Sequence, residues 1–116
     1  MEKFWKLKVF EKAHKLVLEI YKLTSILPNE EKFGLTSQLR RAVVSVVANI
    51  VESTKRKSAK DKRNFLVIAD GSLEETKYYL YLISELNLSS KETVDPVFQL
   101  AREVGAMLNG FSKSIK

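Results

Sequence analysis

Apolar residues return every three or four positions through most of the chain, the spacing of one buried helical face, and they divide it into four helical segments. The first runs from about Leu7 to Leu27, with Phe10, Ala13, Val17, Ile20, Tyr21, Thr24 and Leu27 on one stripe. It stops before Pro28, whose ring disfavours helix in the residue ahead of it. After a short polar connection, Asn29 to Phe33, a second helix opens near Gly34 and runs from Leu35 to about Thr54. Ser58 with Asp61 three residues on resembles a capping box and marks the start of the third helix, residues 59 to 88. Its seam is Phe65, Ile68, Ala69, Ser72, Leu73, Thr76, Tyr79, Leu80, Ile83 and Leu86. Gly71 interrupts it, at a helix-interior cost of about 1 kcal/mol relative to Ala, which implies close approach of a neighbouring group. Asn87 to Lys91 is a polar turn, and either Ser90 or Asp95 caps the last helix, with Pro96 suited to the first helical position behind Asp95. Val97, Ala101, Val104, Leu108 and Phe111 line that helix's inner face.

The second helix is apolar on nearly every side. Leu35, Leu39, Ala42, Val43, Val46 and Ile50 make one face, and Val44, Val47 and Val51 a second, roughly opposite. Gln38, Arg41, Ser45, Asn49 and Glu52 form a narrow polar stripe between them. A helix in a chain of 116 residues needs one apolar face, so the second predicts contact with another copy of the chain. The third helix offers a matching outer stripe in Val67, Gly71, Tyr78 and Leu82.

Two prolines and four glycines leave little room for the turn-rich grammar of sandwiches and barrels, and the length suits one domain spanning residues 1–116. An all-α fold follows. The absence of Cys excludes disulfides, thiolate chemistry and cysteine-ligated zinc. Met1 to Val9 interleaves charged and apolar residues without the apolar core of a signal peptide, and no stretch has the length to span a bilayer. The expectation is a cytoplasmic protein without membrane contact.

Charge is uneven. Residues 1–64 hold fifteen Lys/Arg against seven Asp/Glu, and residues 65–116 five against seven, so the net +6 belongs to the first half. Its densest point is Lys55, Arg56, Lys57, Lys60, Lys62 and Arg63, at the corner between the second and third helices. Such a cluster is either a phosphate-binding surface or a solvated turn.

Three runs carry a family resemblance: Phe33-Gly34-Leu35-Thr36-Ser37-Gln38-Leu39-Arg40-Arg41-Ala42, then Asn49-Ile50-Val51-Glu52, then Gly71-Ser72-Leu73-Glu74-Glu75. With Phe10-Glu11-Lys12-Ala13 at the start, the chain resembles, over roughly residues 5 to 112, the four-helix-bundle family encoded in intervening sequences of bacterial 23S rRNA genes, once labelled ribosomal protein S23. The resemblance implies an antiparallel up-and-down four-helix bundle that assembles as a ring-like homopentamer, with no enzymatic activity and no cofactor. The related accessory variability determinants of diversity-generating retroelements imply binding to nucleic acid and to a reverse transcriptase; the short length places this chain nearer the intervening-sequence branch. It departs from the family in having Val47-Ala48 where Pro-Ser is usual and Ser53 where Gly is usual. The first departure implies a straighter second helix.

The remaining polar residues invite chemistry. Arg41, Asn49, Glu52, Ser72 and Glu74 make a picture of a site, yet without a nucleophile, a positioned His or a Gly-rich phosphate loop they lack a reaction. The role expected of them is registry, with Arg40 or Arg41 pairing Glu52 or Glu74 within or between protomers. Glu11 and His14 have the Glu-x-x-His spacing of carboxylate di-iron bundles, which need a second such motif; this chain has one His, so no metal site is expected. Trp5 and the Tyr78, Tyr79, Tyr81 cluster could stack bases in principle, but Tyr78 and Leu82 share the outer stripe of the third helix with Val67 and Gly71, which reads as an oligomer contact. The expected function is a non-catalytic, homo-oligomeric bundle that binds RNA or DNA through its basic surface with low sequence selectivity; the alternative is an oligomeric scaffold for a protein partner.

Overall fold

The computed structural model describes residues 3–116; Met1 and Glu2, part of the N-terminal segment read above, lie outside the described residues. Four helices, α1 (Lys8–Thr24), α2 (Leu35–Ser53), α3 (Ala59–Glu85) and α4 (Lys91–Ser114), form an antiparallel up-and-down bundle. Single turns of 3-10 helix at Lys3–Lys6 and Asn29–Glu31 precede α1 and α2. α1 and α3 lie on one diagonal and α2 and α4 on the other, each helix packing against its two neighbours. The long dimension is 44 Å, about the length of 27 residues of α3 at 1.5 Å each.

Local chemistry fixes the ends. Ser58 caps α3 by accepting from the Asp61 N–H at 3.0 Å, and Ser90 caps α4 by accepting from the Thr93 N–H at 3.2 Å. Asp95 is therefore not the cap, and Pro96 sits in the second turn of α4, not the first position. The helix survives it because Pro96 is exposed, so the Glu92 carbonyl left without a donor is within reach of water. α3 ends three residues sooner than expected, in a Schellman turn. Asn87 takes a left-handed conformation (φ 57°), its N–H bonds Ser84 O, and the Leu88 N–H reaches back to Ile83 O. α2 runs unbroken through Val47-Ala48 to Ser53, which is buried and donates to Ile50 O.

One continuous core draws on all four helices. Every residue assigned to the inner face of α2 is buried, and so are Val97, Ala101, Val104 and Leu108 of α4. On α1 the buried residues are Val9, Ala13, Leu16, Ile20, Leu23 and Thr24, with Leu27 buried just beyond it; Ala13, Ile20, Thr24 and Leu27 of the expected stripe are among them, while Phe10 and Val17 are half-buried and Tyr21 is exposed. On α3 it is Leu66, Ala69, Leu73, Thr76, Leu80 and Ile83, while Ile68 and Leu86 face solvent. Both helices carry an apolar arc wider than one face. Which column points inward is set by the angle at which the two neighbours meet it. The close approach expected at Gly71 occurs instead at Gly105: a Cβ there would stand 3.3 Å from Leu73 Cδ2, whereas one at Gly71 would meet nothing within 4 Å.

Candidate nucleic-acid interface

The up-and-down path returns the chain to one end of the bundle three times: at the start of α1, at the α2–α3 corner and at the end of α4. Lys3, Lys6 and Lys8, the six corner residues, and Lys113 and Lys116 thereby collect at that end, eleven cationic side chains against Glu52 and Asp61 among the described residues. The opposite end, residues 22–32 and 85–95, holds three Lys against five Asp/Glu. The charge bias that runs between halves of the sequence becomes a polarity along the bundle axis. The contribution of the two terminal segments was not readable from spacing, because only the fold brings residues 3 and 115 beside residues 62 and 63.

The six corner residues are not equivalent. Lys55, Lys57 and Lys60 are exposed and, among the described residues, form no ion pair, as a phosphate-binding surface requires. Arg56 is committed elsewhere: it pairs with Glu52 one turn earlier and its guanidinium lies 4.4 Å from the centre of the Phe65 ring, clamping α2 to α3. Arg63 donates to the Ile115 carbonyl at 3.1 Å and so ties the C-terminal segment to α3. Lys62 is half-buried, on the wall of a cleft of about 280 Å³ that also involves Lys3, Phe4 and Phe111.

The polar stripe divides into two different things. Its middle is a seam between α2 and α3, where the Ser45 and Ser72 hydroxyls hydrogen-bond at 2.8 Å and Asn49 Nδ2 donates to the Ser45 carbonyl at 2.8 Å. The charged members do not join it. Within the protomer neither Arg40 nor Arg41 pairs with Glu52 or Glu74, because Glu52 is held by Arg56 and Glu74 by Lys77 at 2.8 Å. Arg40 turns towards α1 instead, donating from Nε to Thr24 Oγ1 at 2.8 Å and lying 4.4 Å from the centre of the Tyr21 ring. Arg41 is exposed and forms no ion pair among the described residues. Within the protomer the polar contact that crosses this seam is therefore the Ser45–Ser72 hydroxyl pair, with Asn49 bracing Ser45 from one turn along α2, rather than a buried ion pair.

The sequence matches the model of the 23S rRNA-intervening sequence protein family over residues 5–110. The chain belongs to this family. A crystal structure of a protein of unknown function from the S23 ribosomal protein family of Bacteroides thetaiotaomicron VPI-5482 superposes with a TM-score of 0.84 at 29% identity, covering 90% of this chain and 98% of that one. No curated protein matches the sequence. For this family member, two of the runs that carry the resemblance meet in space: Asn49 and Ser72, from the second and third runs, both bond to Ser45.

The outer stripes also separate. Val44, Val67 and Tyr78 are exposed, as is Gly71. Val51 is half-buried, and Val47 and Leu82 are half-buried because they pack on the protomer's own core. The Val44 side of α2 is thus not a face opposite the core but a flank turned towards α1, where Val44, Tyr21 and Phe33 line a cleft of about 450 Å³. Tyr79 packs on the core while Tyr81 and Trp5 are exposed. His14 is exposed and stacks on Phe10 with 5.8 Å between ring centres, and among the described residues no cluster of three or more His, Cys, Asp or Glu is placed to hold a metal ion. Among the same residues no helix is long and apolar enough to cross a membrane.

Proposed function

We propose that this chain is a non-catalytic, homo-oligomeric bundle of the cytoplasm that binds RNA or DNA through its basic end, with low sequence selectivity. The observation that carries the reading is the gathering of Lys from three separate segments on one end, with Lys55, Lys57 and Lys60 exposed and in no ion pair among the described residues. Free Lys ammonium groups meet phosphate as point charges and release its counterions, a contact indifferent to base identity. Self-association is supported by two exposed apolar surfaces that differ from each other, the Val44 flank of α2 and the Val67–Tyr78 stripe of α3. Unlike surfaces join head to tail, and a head-to-tail contact that closes makes a ring; the family resemblance supplies five as the copy number. A ring repeats the basic end in every protomer, so weak phosphate contacts add through multivalency.

The test is a titration with RNA and with duplex DNA at two salt concentrations, on the parent and on a variant with Lys55, Lys57 and Lys60 all changed to Glu. The parent is expected to show a steep negative slope of log affinity against log salt, about −0.9 per phosphate neutralised on duplex DNA. The variant is expected to lose binding with helicity and mass unchanged, since none of the three positions packs on another residue's core face. Undiminished binding by the variant would make the lysines a solvated turn and favour a scaffold for a protein partner.

A further inference from the structure

The basic end is not uniformly polar. Between the turn before α1 and the ends of α2 and α4 lies the cleft of about 280 Å³, with an apolar floor of Phe4, Leu7, Phe111 and Ile115 and with Lys3 and Lys62 on its walls; among the described residues no Asp or Glu side chain lines it. A second opening, walled by Lys3, Thr54 and Lys55, shares Phe4 with it. Phe4 is held in place edge-on to Trp5 and to Phe10, with ring centres 5.9 and 5.1 Å away. A surface that only neutralises phosphate has no use for an aromatic floor, and a duplex, its bases stacked inside, has nothing to offer one. An unpaired nucleotide carries both complements, a base with a π-face and an anionic phosphate on either side.

We infer that the cleft is a seat for one unpaired base of a single-stranded nucleic acid, stacked against Phe4 and Phe111 with its flanking phosphates on Lys3 and Lys62. The inference rests on the nucleic-acid reading above and adds to it a preference for strands over duplexes. Stacking of this kind tolerates any base, which keeps sequence selectivity low.

The experiment measures binding of a short unstructured oligonucleotide, the same strand with its bases replaced by abasic sites, and the blunt duplex, to the parent and to Phe4→Ala. The parent is expected to bind the intact strand about tenfold more tightly than the abasic one, the loss of one stacked base. Phe4→Ala is expected to lose that tenfold on the intact strand, leaving the abasic strand, the duplex and the helix content unchanged. Equal affinity of the parent for intact and abasic strands would overturn the seat while leaving phosphate binding in place, and this arm needs no variant to fold. An equal loss on strand and duplex in Phe4→Ala would also overturn it. A parent that binds none of the three ligands would remove the nucleic-acid reading itself.

Discussion

Arg40 and Arg41 are adjacent in sequence, yet their surroundings call for different costs of removal. Arg40 holds Thr24, itself buried, by a charge-assisted hydrogen bond and lies over Tyr21, so Arg40→Ala is expected to destabilise by about 1–2 kcal/mol in urea titrations. Arg41→Ala, Glu52→Ala and Glu74→Ala should each cost under about 1 kcal/mol, since their partners are half-exposed or absent and solvent screens such pairs. A loss of several kcal/mol at Arg41 would mean that a neighbouring copy buries it. The two glycines of α3 and α4 make a parallel contrast. Gly71→Ala gains helix propensity, and because a Cβ there meets nothing within 4 Å inside the protomer it should stabilise the protomer's own fold by about 0.5–1 kcal/mol. Gly105→Ala gains the same propensity but pushes on Leu73 at 3.3 Å in the core, so its melting temperature should fall below that of Gly71→Ala.

Helix ends were readable because their chemistry is local. Ser58 with Asp61, Gly34 before α2 and the Pro28 stop all concern residues within one turn of each other, and the structure places the boundaries of α1 and α2 within a few residues of the expected ones. Ser58→Ala and Ser90→Ala should each cost about 1 kcal/mol in thermal or urea melts, and the double variant their sum, since the two caps sit at opposite ends of the bundle. Single variants as stable as the parent would mean that water replaces the caps. The inward column of α1 and α3 was less legible. Leu16 and Val17, or Leu66 and Ile68, are equally apolar, and nothing within one helix says which of them a neighbour will cover.

Charge polarity and assembly belong to the packed bundle. In isolation the protomer leaves Val67 68% exposed, so Val67→Glu should change protomer stability by less than about 0.5 kcal/mol while preventing association, because a charge in an apolar contact is strongly disfavoured. Light scattering should then give a monomer mass for the variant and a multiple of it for the parent. Val47→Glu is the poorer probe, since Val47 packs on the protomer's own core and its replacement would unfold the helix pair as well. A monomeric parent at micromolar concentration would remove the ring and with it the multivalent part of the nucleic-acid proposal.

Periodicity, caps and composition were enough for four helices in order, a buried face on α2, the absence of thiol chemistry and the excess of positive charge, because each depends on residues a turn or two apart or on simple counts. Three matters waited for the packing. Within the protomer the expected Arg–carboxylate pairs are replaced by Glu52–Arg56 and Glu74–Lys77, because partners three or four residues apart in sequence are already held close by the local backbone. The interruption at Gly71 proved open and the tight crossing lay at Gly105, since a crossing point depends on two helices at once. The basic end acquired Lys3, Lys113 and an aromatic cleft from the termini, residues that are far apart along the chain and adjacent only because four antiparallel helices bring both termini to the corner between α2 and α3.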